Sequence, residues 1–295
     1  MFTGLSAFPL TPMAGDGIDE DAFARLIRRL ADAGVDSIGA LGSTGSYAYL
    51  DRAERARAAA IAVENASAVP VIVGVGAVRT RDVLAHVDDA QNAGAAGVLL
   101  PPVTYQHLGD DEVYGLYADV AAVASVPIVV YDNPGTTHID FSDELHGRIA
   151  GLDGIVSIKI PPVPLDAATA RARVERLRSV IPGAVGIGIS GDEAGATGLL
   201  AGCDAWYSAI AGILPEPCLA ITRAATAGDA ELAHALSARM QPLWALLRRY
   251  GSYRVASAIA EHLGLVSSPS LPRPVVGLDE AGRRSVEAAL SSIAA

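Results

Sequence analysis

Eight short apolar runs, separated by amphipathic helical stretches, limit the folds open to this chain more than any other feature. They are GLSAF (4–8), SIGAL (37–41), VPVIVGVG (69–76), GVLLP (97–101), PIVVYDN (127–133), IVSIKI (155–160), AVGIGIS (184–190) and AWYSAI (205–210). Their near-continuous apolarity suits parallel strands covered on both faces. Helices are predicted between them. Phe23, Leu26, Ile27 and Leu30 follow the spacing i, i+3, i+4, i+7, with Gly34 as a stop. Val113, Leu116, Tyr117 and Val120 repeat it after the acidic turn Asp110-Asp111-Glu112, which complements the helix dipole. Ser142 before Asp143-Glu144-Leu145 reads as an N-cap.

Strand–helix units of roughly 20–35 residues, repeated eight times, predict an α/β fold of the (β/α)8 TIM-barrel type rather than an open doubly wound sheet. No GxGxxG follows the first run, which argues against a dinucleotide-binding sheet. The barrel is expected over residues 1–225, with a C-terminal helical extension over 226–295 packed on it or on another subunit. One helix of that extension is predicted in ELAHALSARMQPLWALL, with Leu232, Leu236, Met240, Leu243 and Leu247 on one stripe.

Composition narrows the class of partner. The 295 residues are 51% hydrophobic and 19% charged, with a net charge of −11, which disfavours nucleic acid. No run of 18 or more apolar residues predicts a membrane span. The opening MFTGLSAFPLTPM has no early positive charge and soon meets two prolines, unlike a signal peptide. Cys203 and Cys218 lie in apolar context, which fits a reducing, cytoplasmic compartment. An acidic chain of this kind binds an acidic metabolite through local donors rather than through its overall field.

Of 22 basic residues, one is a lysine, Lys159, at the C-terminal end of the sixth run. Side chains alternate along a strand, so Val156, Ile158 and Ile160 share one face and Ser157 and Lys159 the other. The apolar set suits the outer helices, which turns Lys159 into the barrel, at the end where this fold keeps its active sites. Partial desolvation there favours the neutral amine needed for imine formation with a carbonyl substrate. A structural lysine paired with Asp132 or Asp192 stands as the other reading.

The fifth run ends in Tyr131, 28 residues before Lys159 (159 − 131), about one βα unit, so the two fall on neighbouring strands at one rim. A phenol there either shuttles protons during carbinolamine formation and dehydration or simply packs. In LGSTGSYAYL, Gly42 and Gly45 allow a tight turn that exposes amides near the Ser43 and Thr44 hydroxyls. Such a nest holds a carboxylate without a cation, although many Gly/Ser turns bind nothing.

Together these segments resemble the dihydrodipicolinate synthase/N-acetylneuraminate lyase family of class I aldolases, over nearly the whole chain. GLSAFPLTP resembles its first strand, Gly42-Ser43-Thr44-Gly45 its carboxylate motif, and Tyr131 with Asn133-Pro134 its catalytic tyrosine segment. Ser157-Ile158-Lys159 matches its Schiff-base segment, Ser190-Gly191-Asp192-Glu193 and the stretch to Pro215 its last two strands, and Leu271-Pro272-Arg273-Pro274 its C-terminal signature. The resemblance implies that Lys159 forms an imine with pyruvate or a related 2-oxo acid. It implies Tyr131 as proton relay, Ser43 as relay hydroxyl, and Thr44 and Gly45 as part of the carboxylate anchor. The backbone of Tyr207 would line the pyruvyl pocket, and Asp192 and Glu193 would meet substrate hydroxyls, as on the lyase side of the family. Neither a metal nor an organic cofactor is implied, because the protonated imine is the electron sink. A homotetramer built as a dimer of dimers is implied too.

The chain also departs from the family pattern. Thr136 stands where the synthases carry an arginine that clamps aspartate semialdehyde, and Ser46 replaces a glutamate. The tyrosine that synthases contribute across the dimer interface aligns with Val103 or Thr104, leaving Tyr105 slightly out of register. These departures favour a carbon–carbon lyase, or a dehydratase or hydratase-aldolase variant, acting on a polar or hydroxylated 2-oxo acid. Two rivals remain: 4-hydroxy-tetrahydrodipicolinate synthase with Arg79 or Arg81 as its clamp, and a 2-oxo-acid sensor with weak catalysis. His138 lies beyond its strand and reads as a loop residue.

Overall fold

Each apolar run contains one strand of a closed, all-parallel barrel in the computed structural model, which describes residues 2–294. The strands are β1 (Gly4–Ala7), β2 (Ser37–Ala40), β3 (Val71–Gly74), β4 (Gly97–Leu100), β5 (Ile128–Tyr131), β6 (Ile155–Ile160), β7 (Gly186–Ile189) and β8 (Ala205–Ser208). Each pairs with the next, and β8 closes on β1 with Ser6 opposite Tyr207. The helices α1 (Glu20–Ala33), α2 (Arg52–Asn65), α3 (Thr80–Asn92), α4 (Asp110–Ala121), α5 (Asp143–Ala150), α6 (Ala167–Arg178), α7 (Gly195–Leu200) and α8 (Pro215–Thr226) follow the strands in turn. The protein is a (β/α)8 TIM barrel with C-terminal helices, as the alternation predicts.

Local chemistry explains the helix ends. Asp19 accepts from the Ala22 amide (3.0 Å) to start α1, and Gly34 at φ 76° stops it. Phe23, Leu26, Ile27 and Leu30 bury their whole side chains, each contributing roughly 1.5–3 kcal/mol relative to exposure. Ser142 caps α5 by accepting from the Leu145 amide (3.0 Å), as read from the sequence. Among the described residues no helix is long and apolar enough to cross a membrane.

The extension holds several helices, as expected, but the stretch ELAHALSARMQPLWALL is not the one helix predicted for it. The extension forms α9 (Ala230–Arg239), α10 (Gln241–Tyr250), α11 (Ser252–His262) and α12 (Glu280–Ala294), with a break at Met240. Pro242, at the second position of α10, has no N–H to give, and its ring would clash with the carbonyl four residues back in a continuous helix. The stripe breaks with it: Met240 and Leu243 are buried, whereas Leu232 is 47% exposed. The break lets α10 lie against the turn at 192–194, at the C-terminal mouth of the barrel. The division expected at 225/226 falls at the end of α8.

Inside the barrel, Phe8, Ile72, Leu99, Val129, Tyr131, Ala205 and Tyr207 form their own buried cluster, separate from the larger core between strands and helices. An irregularity at the start of β6 sets which side chains join it. Ile128 pairs with Ile155, but Val129 pairs with Ser157, so Val156 is an extra residue. Ile155 and Ile158 both belong to the outer core, while Ser157 and Lys159 face inward. Strict alternation from Ile155 would have put Ser157 and Ile155 on one face.

Candidate active site

The C-terminal end of β6 sets three residues in one row. Lys159 pairs in register with Tyr131 on β5 and with Gly188 on β7. Its side chain, 7% exposed, reaches a cavity of about 430 Å³ at the C-terminal end of the strands. Two aromatic faces flank the amine, with Nζ 4.3 Å from the centre of the Tyr131 ring and 4.9 Å from that of Phe8. The carboxylates that could have tied it up are engaged elsewhere. Asp132 lies 3.1 Å from Nε2 of the fully buried His146, and Asp192 accepts from Ser208 Oγ (2.5 Å) and the Ile210 amide (3.4 Å). The amine faces the cavity instead of a buried ion pair.

Tyr131 meets the turn after β2. Its Oη is 2.8 Å from Ser43 Oγ and accepts from Asn133 Nδ2 at 2.9 Å. Burial pushes the phenol up, but the charge of Lys159 and hydrogen bonds to Ser43, Asn133 and Thr136 outweigh it and leave Tyr131 below its ordinary value. A phenol of increased acidity beside an amine suits proton relay. Asn133 and Thr136 were missed as candidate site residues from the sequence, although both follow Tyr131 within the quoted segment.

The carboxylate turn is more divided than its sequence suggests. Ser43 and Thr44 line the cavity, and their amides have no backbone acceptor among the described residues. Gly45 does not reach the cavity wall: its amide donates to the Gly42 carbonyl (2.9 Å). Its need for glycine is steric, since a Cβ there would sit 2.9 Å from the Leu41 nitrogen. Gly45 shapes the turn that presents the other two amides. Ser46, with φ 62°, turns its hydroxyl away to Tyr253 Oη (2.7 Å).

Tyr207 closes the floor. Its ring packs edge-on to Phe8, and its hydroxyl is 2.8 Å from Ser157 Oγ. The ring lies over Gly188, where a Cβ would approach Tyr207 Cε2 to 2.0 Å. Asp192 and Glu193 line the opposite wall. Burial raises the Asp192 carboxyl to about 6, despite the bonds from Ser208 and Ile210 and the charge of Lys159. Glu193 takes Gln241 Nε2 on Oε1 (3.1 Å) and pairs with Arg248 through Oε2.

Arg248, Trp244, Leu247 and Ser252 complete the wall from the extension, and the sequence reading missed all four. Trp244, Leu247 and Arg248 stand at i, i+3, i+4 on α10, a legible stripe whose target was not. Other candidates fall outside the site. Arg79 caps α3, Arg81 bonds Asp82 (3.2 Å), and neither lines the cavity. This removes both expected clamps of the synthase reading. His138 is an exposed loop residue, as expected, and Tyr105 projects outward, 89% exposed. Among the described residues no group of three or more His, Cys, Asp or Glu side chains is arranged to hold a metal.

Comparison with known proteins agrees with this geometry. The family model described as the dihydrodipicolinate synthetase family matches residues 1–293. A 4-hydroxy-tetrahydrodipicolinate synthase of Phenylobacterium zucineum is 30% identical over 292 residues, covering 98% of this chain and 97% of that protein. The crystal structure of a dihydrodipicolinate synthase from Agrobacterium tumefaciens superposes with a TM-score of 0.95 at 45% identity, covering 99% of this chain and 98% of the other. A dihydrodipicolinate synthase from Acinetobacter baumannii, solved in complex with pyruvate, gives 0.89 at 27% identity, over 100% and 99%.

Proposed function

The chain belongs to the dihydrodipicolinate synthetase family of class I pyruvate aldolases and is a lyase, and from that premise we propose that Lys159 is its Schiff-base residue, acting on a polar or hydroxylated 2-oxo acid. One observation carries the assignment: Lys159 stands in register between Tyr131 and Gly188, its amine lining the cavity with no carboxylate paired to it among the described residues. The neutral amine attacks the C2 carbonyl, giving a carbinolamine. Tyr131 passes a proton to the departing hydroxyl, water leaves, and a protonated imine remains. That imine accepts the electron pair released when the bond between C3 and C4 breaks, while the C4 hydroxyl of the substrate gives up its proton and the C4 fragment leaves as a carbonyl compound, so an enamine forms. Protonation at C3 and hydrolysis free pyruvate and regenerate the amine.

Supporting roles follow from distances. Ser43 hands protons between Tyr131 and the cavity, and the Ser43 and Thr44 amides with the Thr44 hydroxyl anchor the pyruvyl carboxylate. Gly45 sets that turn, and Tyr207 and Gly188 shape the floor. The reading calls on no metal or organic cofactor, since the iminium does the work of an electron sink. A homotetramer, a dimer of dimers, belongs to the reading; the outward projection of Tyr105 supports a tyrosine lent to a neighbouring subunit. Buried free thiols at Cys203 and Cys218 fit a cytoplasmic setting.

The test is borohydride reduction with pyruvate followed by peptide mass mapping. A pyruvyl adduct on Lys159 is expected, and none in Lys159→Ala; an adduct elsewhere, or none in the wild type, overturns the assignment. A second reading, 4-hydroxy-tetrahydrodipicolinate synthase, draws support from the activity named for the Phenylobacterium relative. Against it stand Thr136 in place of the clamp and the outward position of Arg81. Efficient turnover of pyruvate with aspartate semialdehyde would favour it.

A further inference from the structure

The cavity has two cationic lining residues, Lys159 on its floor and Arg248 at its mouth, and the roles proposed above use only the first. Arg248 stands in the last turn of α10, with a side chain 55% exposed and, among the described residues, one ion pair, from Nη1 to Glu193 Oε2. The other oxygen of Glu193, Oε1, accepts from Gln241 Nε2 instead. A guanidinium carries five N–H donors, so the pairing fixes its direction and leaves the Nε/Nη2 edge with two parallel donors. An exposed ion pair of this kind contributes little to stability, so a ligand can share the guanidinium at small cost. Ser252 lines the same mouth and opens α11, whose N-cap residue Gly251 supplies no side-chain bond. The amides of that first turn add a partial positive charge beside the guanidinium.

We infer that Arg248, positioned by Glu193 and Gln241, selects the substrate by gripping a carboxylate at the end remote from the carbonyl, which makes the preferred substrates 2-oxo diacids. The inference rests on the Lys159 imine reading and names the substrate class of that same cavity. A planar fork with a free edge matches a carboxylate in two parallel bonds, a match no single hydroxyl offers. Val163, Trp244 and Leu247 line the same cavity with apolar surface that suits the methylene chain joining the two acidic ends. Glu193 is thus a positioning residue: both of its oxygens are engaged before any substrate arrives.

The test uses the full chain and borohydride trapping on Lys159, read by mass, with unbranched 2-oxo diacids of four to seven carbons and the monoacids of matching length. Pyruvate is the probe without a distal group. At one chain length or more, the wild type should reach half-maximal labelling at a diacid concentration at least tenfold below that of the matching monoacid. Arg248→Gln should abolish that preference, a loss of about 10- to 100-fold for the loss of a charge-assisted pair. Arg248→Lys should restore part of it, and pyruvate labelling should stay unchanged in both variants. That unchanged labelling also reports an intact fold. The inference is overturned if no diacid is preferred at any length, or if the preference survives in Arg248→Gln. Failure of pyruvate to label Lys159 in the wild type would instead overturn the imine reading beneath it.

Discussion

Replacing Tyr131 with phenylalanine separates the hydroxyl from everything else that residue does. The ring keeps its volume and its place 4.3 Å from Nζ, so the barrel interior remains filled. What disappears is one oxygen that bridges Ser43 (2.8 Å) and Asn133 (2.9 Å). Each such bond contributes about 0.5–1.5 kcal/mol net, so Tyr131→Phe should cost about 1–3 kcal/mol of stability and leave a folded protein. The kinetic effect should be larger. Positioned proton transfer is worth about 10²–10⁴ in rate, or roughly 2.7–5.4 kcal/mol of barrier. Water entering the cavity can replace part of the relay during dehydration, which places the expected loss near 10²-fold. The assay is the rate of pyruvate imine formation, quenched with borohydride at timed intervals. The rate constant should fall about 10²-fold while the final adduct on Lys159 reaches the wild-type amount. Ser43→Ala should give a smaller loss, and the double variant should behave like Tyr131→Phe alone, because two members of one serial relay do not lose their effects independently. The wild-type rate should also show an alkaline limb below pH 10, following the lowered phenol, and the phenylalanine variant should lack it. Imine formation in Tyr131→Phe within threefold of wild type would refute the relay.

Two further outcomes test the walls of the site. Burial raises Asp192 to about 6 against an ordinary 3.8, so its contribution to stability is full below pH 3.8 and is lost as pH rises through about 6. Denaturant titrations should show the unfolding free energy of wild type minus that of Asp192→Asn falling by about 2 kcal/mol between pH 4 and pH 8, and a pH-independent difference would contradict a buried carboxylate of raised pKa. Gly188→Ala puts a methyl 2.0 Å from Tyr207 Cε2. The ring must move from Ser157, and about 1–3 kcal/mol of stability and most pyruvate trapping should go with it; trapping at the wild-type level would show that the floor tolerates repacking.

Local periodicity carried a large share of this structure. Strand positions, the stop of α1 at Gly34, the cap at Ser142 and the pairing of Lys159 with Tyr131 all follow from apolar spacing, cap chemistry and the length of one βα unit. What escaped depends on contacts distant in sequence. The Asp132–His146 contact and the Ser157–Tyr207 bond join side chains from different elements, and no spacing rule relates them. Arg248 sits on a readable stripe, but its reach to Glu193 depends on where α10 docks. The break at Met240 had a local signal in Pro242, outweighed in the reading by the apolar stripe running through it. Gly45 was read as a ligand because its motif places it there, whereas only the geometry reveals its amide already spent on Gly42.

The extra residue at Val156 has a consequence out of proportion to its size. A strand has two sides, and the count of residues between an anchored isoleucine and the amine decides which side the amine takes. Were Val156 in regular register, Lys159, four residues after Ile155, would share its side and point into the oily layer beneath the helices. The access of that amine to the cavity depends on parity, and one irregular position near the start of β6 supplies it.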